Sequence, residues 1–193
     1  MPRLWTETVD AHRRKVRSAV LDAAADLVAE RGLRSVTMSE IAHRSGIGRA
    51  TLYKYFPDVE AILTAWHTNQ IDTHLETLTR VRDATNDPGD RLRAVLTAYA
   101  ELSHASRKHQ EGDLAAWLHG DRAVAKAQSR LLAMLGELLE EAAQAGVVRD
   151  DVPPQELATY CLHALNAAST LSSRAAAHHL VQVTLDGVRG SDQ

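Results

Sequence analysis

The sequence predicts an all-α protein built from two helical domains. Apolar residues recur at intervals of three and four positions, and β-branched and aromatic residues follow the same helical spacing rather than the alternation of a strand. A length of 193 residues is sufficient for one or two domains, each with its own core. Turn-forming residues interrupt the pattern at Gly32, Gly46, Pro57, Pro88, Gly146 and Pro153. We expect a three-helix domain over residues 1–57 and a larger helical domain over residues 58–193.

The first helix is predicted to run from about residue 10 to residue 31. Gly32 follows its last apolar residue and is suited to terminate it. Residues 1–10, with Pro2 and mixed charge, are typical of a short flexible arm. The residues that define the helix are Val16, Val20, Ala23, Ala24, Leu27 and Val28.

A short second helix is predicted after Thr37. Thr37 and Glu40 have the spacing of a capping box, in which each side chain satisfies a backbone amide of the other residue. Met38, Ile41 and Ala42 supply an apolar face, and Gly46 provides the left-handed residue that ends the helix.

The third helix begins near Arg49, and its two faces differ in character. Leu52 and Phe56 lie four residues apart and are expected to anchor it to the core. The opposite face is basic and aromatic, and comprises Arg49, Ala50, Tyr53 and Lys54. A helix of this size fits a DNA major groove, where Arg or Lys can hydrogen-bond guanine edges. The sequence therefore favours sequence-specific DNA binding, although the whole chain has a net charge of -3.

At these residues the chain resembles the TetR (tetracycline-repressor) family of transcriptional regulators. The resemblance rests on Gly32, Thr37, Ile41, Ala42, Gly46 and the run from Thr51 to Phe56. It implies that the third helix is the recognition helix, with Arg49 and Ala50 facing bases. The phosphate-binding positions that it implies are Thr51, Tyr53 and Tyr55, with Lys54 suited to either role and Thr37 and Ser39 also meeting the DNA. One departure is Val59, which stands where many members of the family have a Lys.

The second domain is predicted to contain the remaining helices, in the following order. A long helix follows Pro57 and Asp58, and Asp87-Pro88-Gly89-Asp90 breaks the pattern and starts the next helix. A short segment over residues 114–118 then precedes a long helix from Val124 to about Gly146. After a break over residues 150–154, the last two helices cover residues 157–171 and 177–188.

Small residues line one surface of the last two helices and would allow close helix approach. Burial within one subunit is one reading of this surface; the family resemblance implies instead a four-helix interface with the same pair of helices from a second subunit. We therefore expect a homodimer whose interface includes Cys161, Ala164, Ala168, Val181 and Leu185.

The sequence does not favour an enzyme. No two of the ten histidines are three or four residues apart, the spacing with which one helix chelates a metal, so no metal site is predicted. Cys161 lies in an apolar helix without an evident activating partner, and no cofactor motif appears. A lone cysteine cannot form an internal disulfide, and no stretch has the apolar length of a membrane span, so a cytoplasmic protein is expected.

The resemblance also implies a cavity in the second domain that binds a small effector. Bulky residues able to stack or hydrogen-bond there are Trp66, Tyr99, Trp117, Tyr160 and His163, although a core role is equally open for each. The predicted function is that of a repressor which, as a homodimer, binds a near-palindromic double-stranded DNA operator and leaves it when the effector binds. The alternative is a helical protein that binds a small molecule or metal and carries a vestigial DNA-binding segment.

Overall fold

The structure, a computed structural model, describes residues 3–32, 35–106 and 122–190. Within these ranges the chain is almost entirely helical, and no strand forms beyond an isolated bridge between Val148 and Arg189. The all-α prediction is therefore confirmed. The helices are α1 (Arg3–Arg31), α2 (Met38–Ser45), α3 (Arg49–Tyr55), α4 (Val59–Asp83), α5 (Pro88–Ala105), α6 (Arg122–Gln144), α7 (Pro154–Asn166) and α8 (Arg174–Val188).

The first helix is longer than the sequence predicts. It begins at Arg3, within the stretch assigned to a flexible arm, and ends at Arg31 before Gly32, whose φ is 79°. Residues 3–31 contain neither Gly nor Pro, and each residue added to an existing helix gains a backbone hydrogen bond. The apolar periodicity that starts at Val16 therefore marks the buried part of α1 rather than its full length.

The chain divides into two compact units, and α4 contributes to both. The N-terminal unit ends at Gln70 and the C-terminal unit begins at Ile71. Ile62 and Leu63 belong to the first core, whereas Leu75 and Leu78 belong to the second. The sequence placed the domain boundary between residues 57 and 58, where the DNA-binding motif ends. That functional boundary stays a prediction.

The N-terminal unit packs α1, α2, α3 and the start of α4 around one apolar core. The predicted core residues of α1 are buried at Val20, Ala24 and Leu27, and Leu52 and Phe56 anchor α3 as expected. The other buried members are Leu21, Val36, Met38, Ile41, Ala42, Ile62, Leu63 and Trp66.

The C-terminal unit has a second core, formed mainly by α5, α6, α7 and α8. Asp87 caps α5 by accepting a hydrogen bond from the Asp90 amide at 2.9 Å, with Pro88 in the first turn as the sequence predicts. Helix α7 ends at Asn166, and a 3-10 turn follows over Ala167–Thr170. The single α-helix predicted to extend to residue 171 is therefore shorter in the structure. Segment 114–118 with Trp117 lies outside the described residues.

Polar contacts fix α5 to the helices on either side of it. Arg91 donates to Glu141 of α6 at 2.6 Å, and the Glu101 carboxylate accepts from Arg174 at 2.6 Å and pairs with His178 at 2.7 Å. Arg93 donates to Gln182 of α8 at 3.2 Å. None of the described helices is both long and apolar enough to cross a membrane.

Candidate nucleic-acid interface

The start of α2 is fixed by the predicted capping box. The Thr37 amide donates to Glu40 Oε2 at 3.0 Å, and the Glu40 amide donates to Thr37 Oγ1 at 3.3 Å. The Thr37 hydroxyl itself donates to Glu40 Oε2 at 2.9 Å. Its proton is therefore engaged within the cap, so Thr37 has a structural role besides the DNA contact predicted for it.

The turn between α2 and α3 forms as Gly46 requires. Its φ is 69°, in the left-handed region that glycine occupies without steric cost, and Ile47 donates its amide to the Ala42 carbonyl at 3.0 Å. Gly48 is the N-cap of α3, which begins at Arg49. Because these are contacts over a few residues, they set the relative direction of α2 and α3 locally.

Helix α3 has one buried face and one free polar face. Leu52 is fully buried and Phe56 nearly so, whereas Arg49, Ala50, Thr51 and Lys54 are exposed and Tyr53 retains 51% of its surface. Tyr55 is half-buried against the core. Polar side chains on this surface that make no hydrogen bond or ion pair with any described residue are Ser39, Arg49, Thr51, Tyr53 and Lys54. Burial of one face fixes the helix, while these polar groups are left without a protein partner.

Ion pairs connect α1 to α2 beside this surface. Arg44 forms two hydrogen bonds with the Glu30 carboxylate at 2.9 and 2.8 Å, and Arg31 donates to Glu40 at 2.8 Å. The carboxylates of Glu30 and Glu40 are thus neutralised, whereas Arg49 and Lys54 of α3 form no ion pair with any described residue.

Helix α1 also contacts the end of α3 through a cation. The Arg17 guanidinium lies over the Phe56 ring, 5.1 Å from its centre, in cation–π geometry. Arg13, Arg14 and Lys15 are exposed nearby in sequence. Arg17 therefore packs on the residue that ends the predicted recognition helix.

The beginning of α4 shows what replaces the Lys common in the family. Val59 is half-buried against the N-terminal core, and the Asp58 carboxylate accepts from the Ala61 amide at 2.8 Å. A cap of this kind occupies amides that could otherwise meet a phosphate. Neither residue offers a positive charge at this position.

Four of the five predicted dimer residues face the interior of their own subunit. Cys161 and Ala168 have no exposed surface, Val181 and Leu185 are buried, and Ala164 is partly buried. The first four belong to the core that α7 and α8 share with α5 and α6. The small residues therefore allow close approach within the subunit, as in the reading that the sequence left open, and do not form a free surface.

A different face of α7 and α8 is exposed, and the sequence reasoning missed it. Tyr160 on α7 and Val183 on α8 retain 45% and 64% of their surface. The Tyr160 hydroxyl lies 2.8 Å from the point that a Cβ at Gly187 would occupy, so the Tyr160 ring crosses α8 closely at that glycine. The spacing of Val183 could have revealed this face. Val183 lies two residues from both Val181 and Leu185, so on a helix it points to the opposite side from them. We call Tyr160, His163, Ala167, His179, Val183 and Gly187 the outer face of α7 and α8.

Those candidate effector residues that the structure describes lie in different environments. Trp66 is buried in the core of the N-terminal unit, and Tyr160 and His163 are exposed on the outer face. Tyr99 of α5 is half-buried and donates its hydroxyl to Asn166 Oδ1 at 2.5 Å; burial raises the pKa of this phenol. Trp117 lies outside the described residues. Helical spacing alone does not reveal which core, or which side of a helix, a bulky residue occupies.

Each unit has a surface cleft among its described residues, and the cleft in the C-terminal unit is lined largely by charged groups. One, of about 330 Å³, lies in the C-terminal unit and is bordered by Arg82, Asp83, Arg91, Glu137, Leu138 and Glu141. The other, of about 240 Å³, lies between α1 and α2. No cluster of three potential metal ligands occurs within the described ranges.

Family models match both units of the chain. The model of bacterial regulatory proteins of the tetR family matches residues 20–65, which include α2 and α3. The model of the SbtR-like C-terminal domain of transcriptional regulators matches residues 87–190, more than half of the chain. Together they cover the capping box, the recognition-helix candidate and helices α5 to α8.

Individual proteins show the same similarity. An uncharacterized HTH-type transcriptional regulator of Mycobacterium tuberculosis, MT1294, is 35% identical over 94 residues, which are 48% of this chain and 46% of that protein. The match thus spans about half the length of this relative. A TetR/AcrR-family regulator from Thermobifida fusca has the same fold, with a TM-score of 0.77 at 21% identity over 90% of this chain and 98% of its own.

A further solved structure, AibR in complex with isovaleryl coenzyme A and operator DNA, has a TM-score of 0.65 at 21% identity over 92% of this chain and all of its own. The similarity to both solved structures shows the fold. With the family models matching both units, the chain belongs to the TetR family of bacterial transcriptional regulators, which bind DNA through a helix-turn-helix and are not enzymes.

Proposed function

We propose that this protein is a repressor that binds a near-palindromic operator as a homodimer and leaves it when a small molecule binds the C-terminal unit. The observation that carries the proposal is the asymmetry of α3. Leu52 and Phe56 fix one face in the core, while the exposed face presents Arg49, Thr51, Tyr53 and Lys54, which have no partner among the described residues. Exposed donors on a helix that is held by its buried face can exchange water for a polar ligand such as DNA.

The proposed contacts divide into base reading and phosphate binding. Arg49 and Ala50, in the first turn of α3, are assigned to base edges, where Arg can bind guanine through two hydrogen bonds. Thr51 and Tyr53 are assigned to phosphates, with Lys54 available to either. Ser39 has an exposed, unpaired hydroxyl in the first turn of α2 and is assigned to the DNA backbone. Tyr55 is half-buried, and its hydroxyl is the group assigned to a phosphate.

The homodimer is proposed to form through the outer face of α7 and α8. Tyr160 and Val183 are two of the few large apolar side chains that are exposed in the described part of the chain. In a two-fold interface each residue contributes twice, so this small patch and its symmetry copy would bury one another. The arrangement retains the last two helices as the dimer contact but replaces the residues that the sequence suggested.

The effector is proposed to bind the C-terminal unit. A coenzyme A thioester is the first class to test, since AibR, which shares the fold, was crystallised with isovaleryl coenzyme A and operator DNA. The charged cleft at Arg82 and Glu141 is a poor place for an acyl chain, because both groups already form ion pairs with neighbours and line the opening. An acyl chain requires apolar walls of the kind that the core of α5 to α8 provides.

Mobility shift with the DNA that flanks the protein's own coding region tests the proposed function. We expect a complex that resists random competitor DNA and is lost in Arg49→Ala. Arg130→Ala removes an exposed Arg from α6 and is the matched control, which should bind normally. Equal binding to flanking and random DNA by the wild-type chain would contradict sequence-specific recognition.

A further inference from the structure

The Glu40 carboxylate accepts three hydrogen bonds, from donors on two different elements. Its Oε2 accepts from the Thr37 amide and hydroxyl at 3.0 and 2.9 Å, and its Oε1 accepts from Arg31 Nη1 at 2.8 Å. These hydrogen bonds, led by that of the Thr37 hydroxyl and supported by the charge of Arg31, lower the pKa of Glu40. Glu40 is therefore an anion at neutral pH, and its side chain is 35% exposed.

This anion lies beside Ser39, which the proposed function assigns to the DNA backbone. Ser39 is its immediate neighbour, and Thr37 is the cap to which it bonds. An unshielded carboxylate here would repel phosphates, because like charges repel through water over about a Debye length of 8–10 Å. Arg31 is the cation that the structure pairs with it.

Arg31 differs from the other ion-paired arginine that connects α1 and α2. It reaches Glu40 in the first turn of α2, whereas Arg44 lies in the last turn and pairs with Glu30. Both pairs connect the same two helices through exposed side chains, and the Arg44 pair, with two hydrogen bonds against one, has at least the same opportunity to stabilise the fold. Only the Arg31 pair neutralises a charge in the capping box itself.

We propose that Arg31 is a positioning residue for operator binding, which shields the Glu40 carboxylate from DNA phosphates and sets affinity without contacting the DNA. The inference rests on the proposed DNA-binding surface. In this proposal Arg31 acts through its charge, whereas the start of α2 is held by the hydrogen bonds between Glu40 and Thr37. Removing Arg31 would leave the cap formed and its anion uncovered.

Equilibrium binding of the full chain to labelled duplexes tests this role. Fluorescence anisotropy is measured with the flanking DNA and with a random duplex, at several salt concentrations, for Arg31→Gln, Glu40→Gln, the double variant and Arg44→Gln. Gln at position 40 can still accept from the Thr37 amide, so the capping box is retained without the charge. Non-specific binding is itself electrostatic, so the random duplex reports the effect even without a known operator.

We expect Arg31→Gln to weaken binding to both duplexes by about two- to fivefold at low salt, with a smaller loss at high salt. Glu40→Gln, which removes the anion, should tighten binding, and the double variant, whose pair has no net charge like that of the wild type, should bind as the wild type does. Arg44→Gln should bind like the wild type.

Three results would overturn the proposal. A double variant that binds more weakly than the wild type would make Arg31 a direct phosphate contact. A loss of the same size in Arg44→Gln would make the ion pairs structural clamps, and wild-type affinity in Arg31→Gln would remove the role altogether. Failure of the wild-type chain and every variant to bind either duplex would instead reject the proposed DNA-binding function.

Discussion

At the scale of single residues, the polar groups of the N-terminal unit divide into those engaged by the fold and those left free. Arg31 forms an ion pair with Glu40, and Arg44 forms one with Glu30, so both arginines connect α1 to α2. The Thr37 hydroxyl donates to Glu40 within the cap. Arg49 and Lys54 have no such partner among the described residues. The division predicts which substitutions remove a direct DNA contact and which affect DNA affinity or folding through another residue.

Arg49→Ala should mainly relax base preference. An Arg bound to guanine through two hydrogen bonds contributes about 1–3 kcal/mol of discrimination between bases, so its removal should weaken operator binding more than binding to random DNA. A phosphate contact would instead be lost equally on both DNAs. Tyr53→Phe removes one hydroxyl and should weaken all sequences alike. Competition binding with operator and random duplexes distinguishes the two, and equal losses on both DNAs for Arg49→Ala would reverse its assignment. Both side chains are exposed, so folding should survive.

Cys161 should be chemically inert in the native protein. Burial raises the pKa of its thiol to about 11, and the side chain has no exposed surface. Since the thiolate is the reactive form, little of it is present at pH 8, and reagent cannot reach it without unfolding. A thiol-reactive chromophore should label the chain only in denaturant. Rapid labelling of the folded chain would show that α7 is not packed in the core as described.

At the scale of secondary-structure elements, α7 and α8 each have a buried stripe and an outer face. Ala168 has no exposed surface and belongs to the C-terminal core, whereas Val183 is 64% exposed. A charge at these two positions should therefore have different consequences. The first tests the core and the second tests the proposed dimer surface.

Val183→Glu should split the dimer while leaving the subunit folded. Two copies of the new carboxylate would be buried near the two-fold axis without partners, which disfavours association. Ala168→Glu should instead lower the unfolding temperature, because the charge would enter the subunit core. Sedimentation and thermal unfolding measure the two effects, with Ala133→Glu at an exposed position of α6 as the control. A dimeric Val183→Glu protein would place the interface elsewhere.

The elements themselves could be predicted from the sequence because their signals are local. The capping box of Thr37 and Glu40, the left-handed Gly46 and the cap at Asp87 each depend on contacts over three or four residues. The start of α1 at Arg3 could not be predicted in this way, because an apolar stripe marks the buried part of a helix rather than its length. For the same reason the stripe of Cys161 and Ala168 predicted close packing correctly but did not say whether the neighbour is the same subunit or another.

At the scale of the whole molecule, the proposed regulation couples two units that have separate cores. Trp66 shows why the effector site was hard to predict: α4 contributes side chains to both cores, and this one packs in the N-terminal unit. A small molecule can release the operator only if it binds one DNA-binding state more tightly than the other. Tight binding without such a preference would regulate nothing.

Coupling of this kind must be reciprocal. If isovaleryl coenzyme A or a related thioester lowers the operator affinity by some factor, the operator must lower the thioester affinity by the same factor. Calorimetric titration of the thioester into free and operator-bound protein measures both. A thioester that displaces the operator yet binds both forms equally, or one whose effect depends on Arg49 and Lys54, would contradict a separate effector site.

The central claim is that the exposed face of α3 reads DNA as part of a symmetric dimer. Hydroxyl-radical footprinting of the full chain on the DNA that flanks its coding region tests it most directly. The account predicts two protected half-sites related by two-fold symmetry, with centres about one helical turn or a multiple of it apart, and loss of this pattern in Arg49→Ala. A single asymmetric site occupied by one monomer, or a symmetric footprint unchanged by Arg49→Ala, would contradict it.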